Sequence, residues 1–129
     1  MPLTLRMIPD VFAVCKVSAL PAADSCGSFV FTARTDKEIS LVCASEYVPA
    51  EATEREDGWR MFVIDGVLDF GMVGVIAGIS GALAENGIPI FVVSTFNTDY
   101  LLVKEEHHHA TIQVLEQRGY AIDHGRPFT

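Results

Sequence analysis

The chain has 129 residues, half of them hydrophobic and 20% charged, with 17 acidic against 9 basic side chains and a formal net charge of −8. That length makes one compact domain or two very small ones, and the apolar content excludes an intrinsically disordered chain. The acidic excess excludes a partner held through nucleic-acid phosphates or an anionic membrane surface, since both need clustered Lys and Arg.

In chain order, residues 1–10 carry Arg6 and Asp10 and have no apolar run or cleavage site of a secretory leader. Residues 12–17 read as a short apolar strand. Residues 17–28 contain Pro21 and Gly27 and leave room for little more than one helical turn. A strand end, a polar turn around Asp36 and an apolar strand at 39–43 follow. Segment 50–58 is charged and without large apolar residues, so it is expected to be a solvated connection ending at Gly58.

Residues 59–65 then form a strand rich in β-branched and aromatic side chains. The chain turns at 66–71, where Asp69 suits an N-cap or first-turn acid. The helix after it is expected to stop at Asn86 and Gly87. Its fifteen uncharged residues, 70–84, are too few to cross a bilayer and are interrupted by Gly71, Gly74, Gly78 and Gly81. Residues 89–94 make an apolar strand, and Asn97, Thr98 and Asp99 a hairpin turn. Residues 100–104 return antiparallel, 106–118 form a second helix stopped by Gly119, and 120–123 are the last strand. The order βαββαβ is the ferredoxin-like α+β plan, a four-stranded antiparallel sheet with two helices on one face. Residues 3–7 are open to supply a further strand beside residues 59–65.

His108, Thr111, Ile112 and Leu115 follow helical spacing and give the second helix its inner stripe. The first helix is apolar all round, with Val73, Ile76, Ala77 and Leu83 on one side and Val75, Ile79 and Ala82 on another. Such a helix is covered on more than one side, by the rest of the chain, a second copy, or both. A homodimer is therefore expected.

The sequence also repeats. Residues 33–45 align with 94–106 without a gap, and 12–17 with 61–66. The shared order favours a duplication, with a shortened unit at 1–58 and a complete one at 59–129.

The run Trp59-Arg60-Met61-Phe62-Val63-Ile64-Asp65-Gly66, the glycine-rich turn after it, and Gly87-Ile88-Pro89-Ile90-Phe91 leading into Ser94, Thr95, Phe96, Asn97, Thr98 and Asp99 resemble an ACT domain. More narrowly, the chain is similar to small tandem ACT proteins of bacteria, related to the regulatory ACT domains of aspartate kinase and to the cytosolic arginine sensors of animals. The resemblance implies a ferredoxin-like fold, pairing of ACT units, and a small ligand, often an amino acid, held at the unit interface. It assigns the ligand loop to Gly66, Leu68, Asp69, Phe70, Gly71, Val73, Gly74 and Val75, and the opposing wall to Ser94, Thr95, Asn97 and Asp99.

Such a site is chemically reasonable. Unpaired N–H groups at a helix N-terminus suit a carboxylate, and Gly71 and Gly74 would let a ligand approach the backbone. Asp69 or Asp99 can receive an ammonium or a basic side chain. Asp69 fits equally as a helix cap, Asn97 and Asp99 as hairpin chemistry, and Ser94 and Thr95 as strand-end hydrogen bonders.

Other chemistry is poorly supported. His107, His108 and His109 are consecutive, point about 100° apart on a helix and do not converge on a metal. Cys15, Cys26 and Cys43 are an odd number, fit as small buried hydrophobes, and point to a reducing cytoplasm. No catalytic constellation, metal site or cofactor is expected. The sequence therefore reads as a cytoplasmic, non-catalytic regulatory module binding an amino acid or similar metabolite, acting on itself or on a separate effector protein. A ligand-free dimerisation module, with the glycines serving packing alone, is the alternative.

Overall fold

A computed structural model describes residues 3–22, 24–65 and 74–124. The strands are β1 (Thr4–Val17), β2 (Phe31–Arg34), β3 (Ile39–Ala44), β4 (Glu54–Ile64), β5 (Phe91–Ser94), β6 (Asp99–Lys104) and β7 (Ala121–Asp123), and the helices are α1 (Val75–Glu85) and α2 (His108–Gln117). The chain divides into two compact units, Met1–Pro9 with Arg60–Thr129, and Asp10–Trp59. By compactness, residues 1–9 thus group with the later unit. β1 and β4 each contribute to both.

In the larger unit the strand order is β5–β6–β4–β1, with β7 on the far side of β1. β5 and β6 pair antiparallel from Phe91–Leu102 to Ser94–Asp99, whereas β7 lies parallel to β1, with Leu5 opposite Ile122. The first part of β1 therefore separates β7 from β4, and the expected purely antiparallel four-stranded sheet becomes five strands with one parallel pair. Beyond the ladders themselves, bonds from Asp65 N–H to the Thr4 carbonyl and from Ala121 N–H to the Leu3 carbonyl, each 3.0 Å, tie the ends of that insertion.

The core under the helices contains Leu5, Phe62, Ile64, Ile79, Leu83, Leu101, Val103 and Leu115. α1 turns Ile79, Ala82 and Leu83 inward, while Ala77, expected on the Leu83 side, is exposed. α2 buries Thr111, Val114 and Leu115, and the Thr111 hydroxyl donates to the His107 carbonyl at 2.7 Å. That back-bond satisfies a hydroxyl in the core. A 3₁₀ turn, Glu105–His107, leads into α2, so the α-helix proper starts two residues later than expected.

The smaller unit has the order β2–β3–β1–β4, the ferredoxin-like order of strands. Among its described residues there is no α-helix. The described residues of 18–22 and 24–30 stand where a first helix would run, and a 3₁₀ turn, Ser45–Tyr47, where a second would. Its core is formed by Cys15, Val17, Cys26, Leu41 and Cys43, with Val30, Val48 and Ala52 packed on it from the connecting segments.

Segment 54–58 is part of β4 and not a solvated connection. Its side chains are exposed, but its backbone pairs with neighbouring strands, beginning with the 2.9 Å bond from Thr53 N–H to the Lys16 carbonyl. Side-chain polarity reports on burial; strand formation needs only a partner for the backbone.

The two hairpins match closely. Arg34 pairs with Ile39 as Ser94 pairs with Asp99, so residue n of the first corresponds to residue n + 60 of the second. Thr35 and Thr95 both donate N–H and Oγ–H to the carbonyl three residues on, Glu38 and Thr98 respectively. Both hairpins end in a three-residue 3₁₀ turn. The gapless alignment of 33–45 with 94–106 is one residue out of this register, and a one-residue slip would exchange the faces of every side chain. The structural register instead makes Leu41 and Leu101, both fully buried, equivalent.

Candidate ligand-binding site

The expected site divides into three parts. Gly66, Leu68, Asp69, Phe70, Gly71 and Val73 lie outside the described residues. Gly74 and Val75 form the start of α1. Ser94, Thr95, Asn97 and Asp99 are brought together by the β5–β6 hairpin.

Gly74 is the N-cap of α1, with φ 83° in the left-handed region, and no side chain caps the helix. Glycine fits there because an L side chain is disfavoured at that φ, not for lack of space. Its carbonyl accepts from Gly78 N–H at 2.8 Å, which starts the helical ladder. Val75 follows, half-buried against the core.

At the hairpin, the Ser94 hydroxyl donates to the Asp99 carboxylate at 2.6 Å across the last strand pair. Thr95 closes the turn on Thr98 with bonds of 2.8 and 3.1 Å. Asn97 is exposed within the turn and Asp99 is half-buried. A carboxylate has about four acceptor positions. Among the described residues Asp99 receives the Ser94 bond and no cation, which leaves acceptor capacity on the carboxylate.

Two residues outside the expected set adjoin these parts. Phe96, between Thr95 and Asn97 at the hairpin tip, is 78% exposed and adds an aromatic ring to a polar turn. Its signal in the sequence was a large aromatic where turn chemistry calls for small polar residues. Arg6 Nε donates to both oxygens of Asp65, at 3.1 and 3.3 Å, on the last described residue before Gly66. This pair joins residues far apart in the chain, and no local pattern announces it.

Of the three consecutive histidines, His108 is the packing group. His108 stacks on Phe62 at 5.4 Å, and burial, then the Arg60 charge, lower its pKa, opposed by Glu105. His109 is exposed, and His107 is half-buried beside Glu106 at 3.7 Å. Among the described residues no group of three or more His, Cys, Asp or Glu is placed to hold a metal.

Residues 54–117, from the start of β4 to the end of α2, match the ACT domain family model. The chain belongs to the ACT-domain family, whose members are regulatory ligand-binding modules. It is 43% identical over 61 residues to the Homo sapiens cytosolic arginine sensor for mTORC1 subunit 1, a match covering 46% of this chain and 18% of the sensor. A crystal structure of an Agobacterium tumefaciens protein aligns over 100% of this chain and 98% of that one, at 30% identity and TM-score 0.88. The regulatory subunit of aspartate kinase from Thermus thermophilus shares the fold at TM-score 0.60 and 12% identity, covering 88% of this chain and 95% of that chain.

Proposed function

We propose that this chain is a non-catalytic regulatory module of the cytoplasm that binds an amino acid through its ACT fold. The observation that supports the reading is the Ser94–Asp99 hydrogen bond, which holds a half-buried carboxylate at the end of a hairpin. An α-ammonium or a guanidinium is the natural complement, as a charge-assisted hydrogen bond. The described start of α1 offers the other half of the chemistry, N–H groups suited to a carboxylate. On this reading Gly66, Leu68, Asp69, Phe70, Gly71, Val73, Gly74 and Val75 face Ser94, Thr95, Asn97 and Asp99 around the ligand. The arginine sensor among its relatives makes arginine the first ligand to test.

The duplicated-hairpin register supports a tandem origin, in which the smaller unit is an ACT repeat that has lost both helices. Cytoplasmic placement is supported by the three free, buried cysteines. The exposed small residues of α1, Ala77, Gly78 and Ala84, support a homodimer packed through that helix. They also favour the second reading, a dimerisation module without a ligand.

Thermal-shift measurements against the twenty amino acids separate the two. A ligand at a hundred times its Kd adds about 2.7 kcal/mol to folding, a shift of several degrees that Asp99→Asn should abolish. If no amino acid stabilises the protein at millimolar concentration while light scattering shows a dimer, the ligand-free module is the better account.

A further inference from the structure

All three cysteines of the chain meet in one place. They come from β1, from the connecting segment 18–30 and from β3, and they are three of the five buried residues in the core of the smaller unit. That unit is small and has no α-helix among its described residues, the circumstance in which a hydrophobic core alone contributes little and natural folds add a staple.

The geometry rules out one of the three possible pairs. Cys15 stands opposite Leu41 and Cys43 opposite Ala13, so these two thiols are diagonal neighbours on one face. Diagonal side chains lie about 7 Å apart, beyond the roughly 4 Å between the Cβ atoms of a disulfide. Cys26 reaches the sheet from its covering segment. Its thiol touches the Ser25 hydroxyl at 3.6 Å and the Tyr47 carbonyl at 3.9 Å, and Tyr47 belongs to the 3₁₀ turn directly after the strand that carries Cys43. Gly27 next to it has φ 89° and lies against the Tyr47 ring, which fixes how the segment folds down.

We propose that Cys26 and Cys43 form a reversible disulfide on exposure to a peroxide, stapling the covering segment to β3 while Cys15 stays reduced. The Cys26 thiolate attacks the peroxide, the O–O bond breaks, the alcohol or water leaves, and Cys26 becomes a sulfenic acid. The Cys43 sulfur then attacks that sulfur, the S–O bond breaks, and the oxygen departs as water with the Cys43 proton. The two thiols lose two electrons and the peroxide gains them. Cys26 is 2% exposed and Cys43 0%, and Cys26 is the first to react because it sits on a connecting segment that can open to the oxidant without breaking a strand ladder, whereas Cys43 is fixed in a strand. The Cys43 thiol, pushed up to about 12 by burial and by its thiol neighbours, makes the second step slow. The staple thus responds to sustained oxidant and is reversed by a thiol reductant, as cytosolic disulfides are.

The test uses the full wild-type chain, treated with hydrogen peroxide, denatured, alkylated and mapped without reduction. The expected result is one intramolecular link between the peptides holding residues 26 and 43, with Cys15 alkylated. Tm should rise by about 5 °C, and dithiothreitol should restore the starting mass and Tm. Cys15→Ser should keep the link and Cys26→Ser should lose it. Three alkylated cysteines after treatment, a link that includes Cys15, over-oxidation of Cys26 without a link, or a link between two chains would each overturn the proposal.

Discussion

At the scale of single residues, two titrating groups make the fold's stability depend on pH in opposite directions. His108 has its pKa lowered from 6.5 by burial and by Arg60, so the folded state favours the neutral ring. The unfolded chain binds that proton more readily, so the His108 contribution is complete above pH 6.5 and is lost as pH falls through the lower folded value. Tm should therefore drop between pH 7 and 5, and His108→Gln should flatten the slope. An unchanged slope would assign the effect to other groups. Cys43 behaves oppositely. Its folded pKa, about 12 against an ordinary 9.0, favours the protonated thiol, so its contribution is complete below pH 9 and lost towards pH 12. Cys43→Ala should cost about 1–2 kcal/mol at neutral pH and lessen the alkaline loss, as read by urea melts at pH 8 and 10. The sequence showed both residues as packing groups; their neighbours, which set the size and sign of each effect, come from other elements.

Helices and strands carry a second set of consequences. A Cβ on Gly78 would lie 3.0 Å from the Tyr120 hydroxyl, so α1 runs close past the residue that precedes β7. Gly78→Ala should gain up to about 1 kcal/mol from helix propensity only when Tyr120→Phe removes that oxygen. The double-mutant cycle should show coupling of about 0.5 kcal/mol or more, and strict additivity would mean the hydroxyl moves aside freely. In β4, Gly58 sits at φ 84° with nothing within 4 Å of a Cβ, so its restriction is purely conformational. Gly58→Ala should cost about 1–2 kcal/mol with no change in core packing by NMR. The paired hairpins give a matched comparison, since Leu41 and Leu101 are equivalent and both fully buried. Each →Ala change should cost about 2–5 kcal/mol. The hairpins, α2 and the last strand were legible because period-2 and period-3.6 patterns are local. Their register was not, because similar apolar strands align almost as well one residue apart.

For the molecule as a whole, the N-terminal strand is the part whose place the sequence left most open. Residues 4–9 lie between β4 and β7 in the larger unit, and Leu5 is fully buried there. Deleting residues 1–9 should lower Tm by more than about 10 °C and remove hydrogen-exchange protection from residues 121–123. A truncated chain with an unchanged Tm would mean that β7 finds another partner. By itself, the sequence determined the class of fold, the order of the larger unit's elements and the polar character of the hairpin around Asp99. Each of these depends on residues near one another in the chain. Only the tertiary structure decided the parallel β1–β7 pair, the entry of the charged segment 54–58 into β4, the Arg6–Asp65 bridge and the meeting of three cysteines in one core. Each of those depends on backbone or side-chain partners far away in sequence, and composition and periodicity report whether a residue is buried, not which distant group buries it.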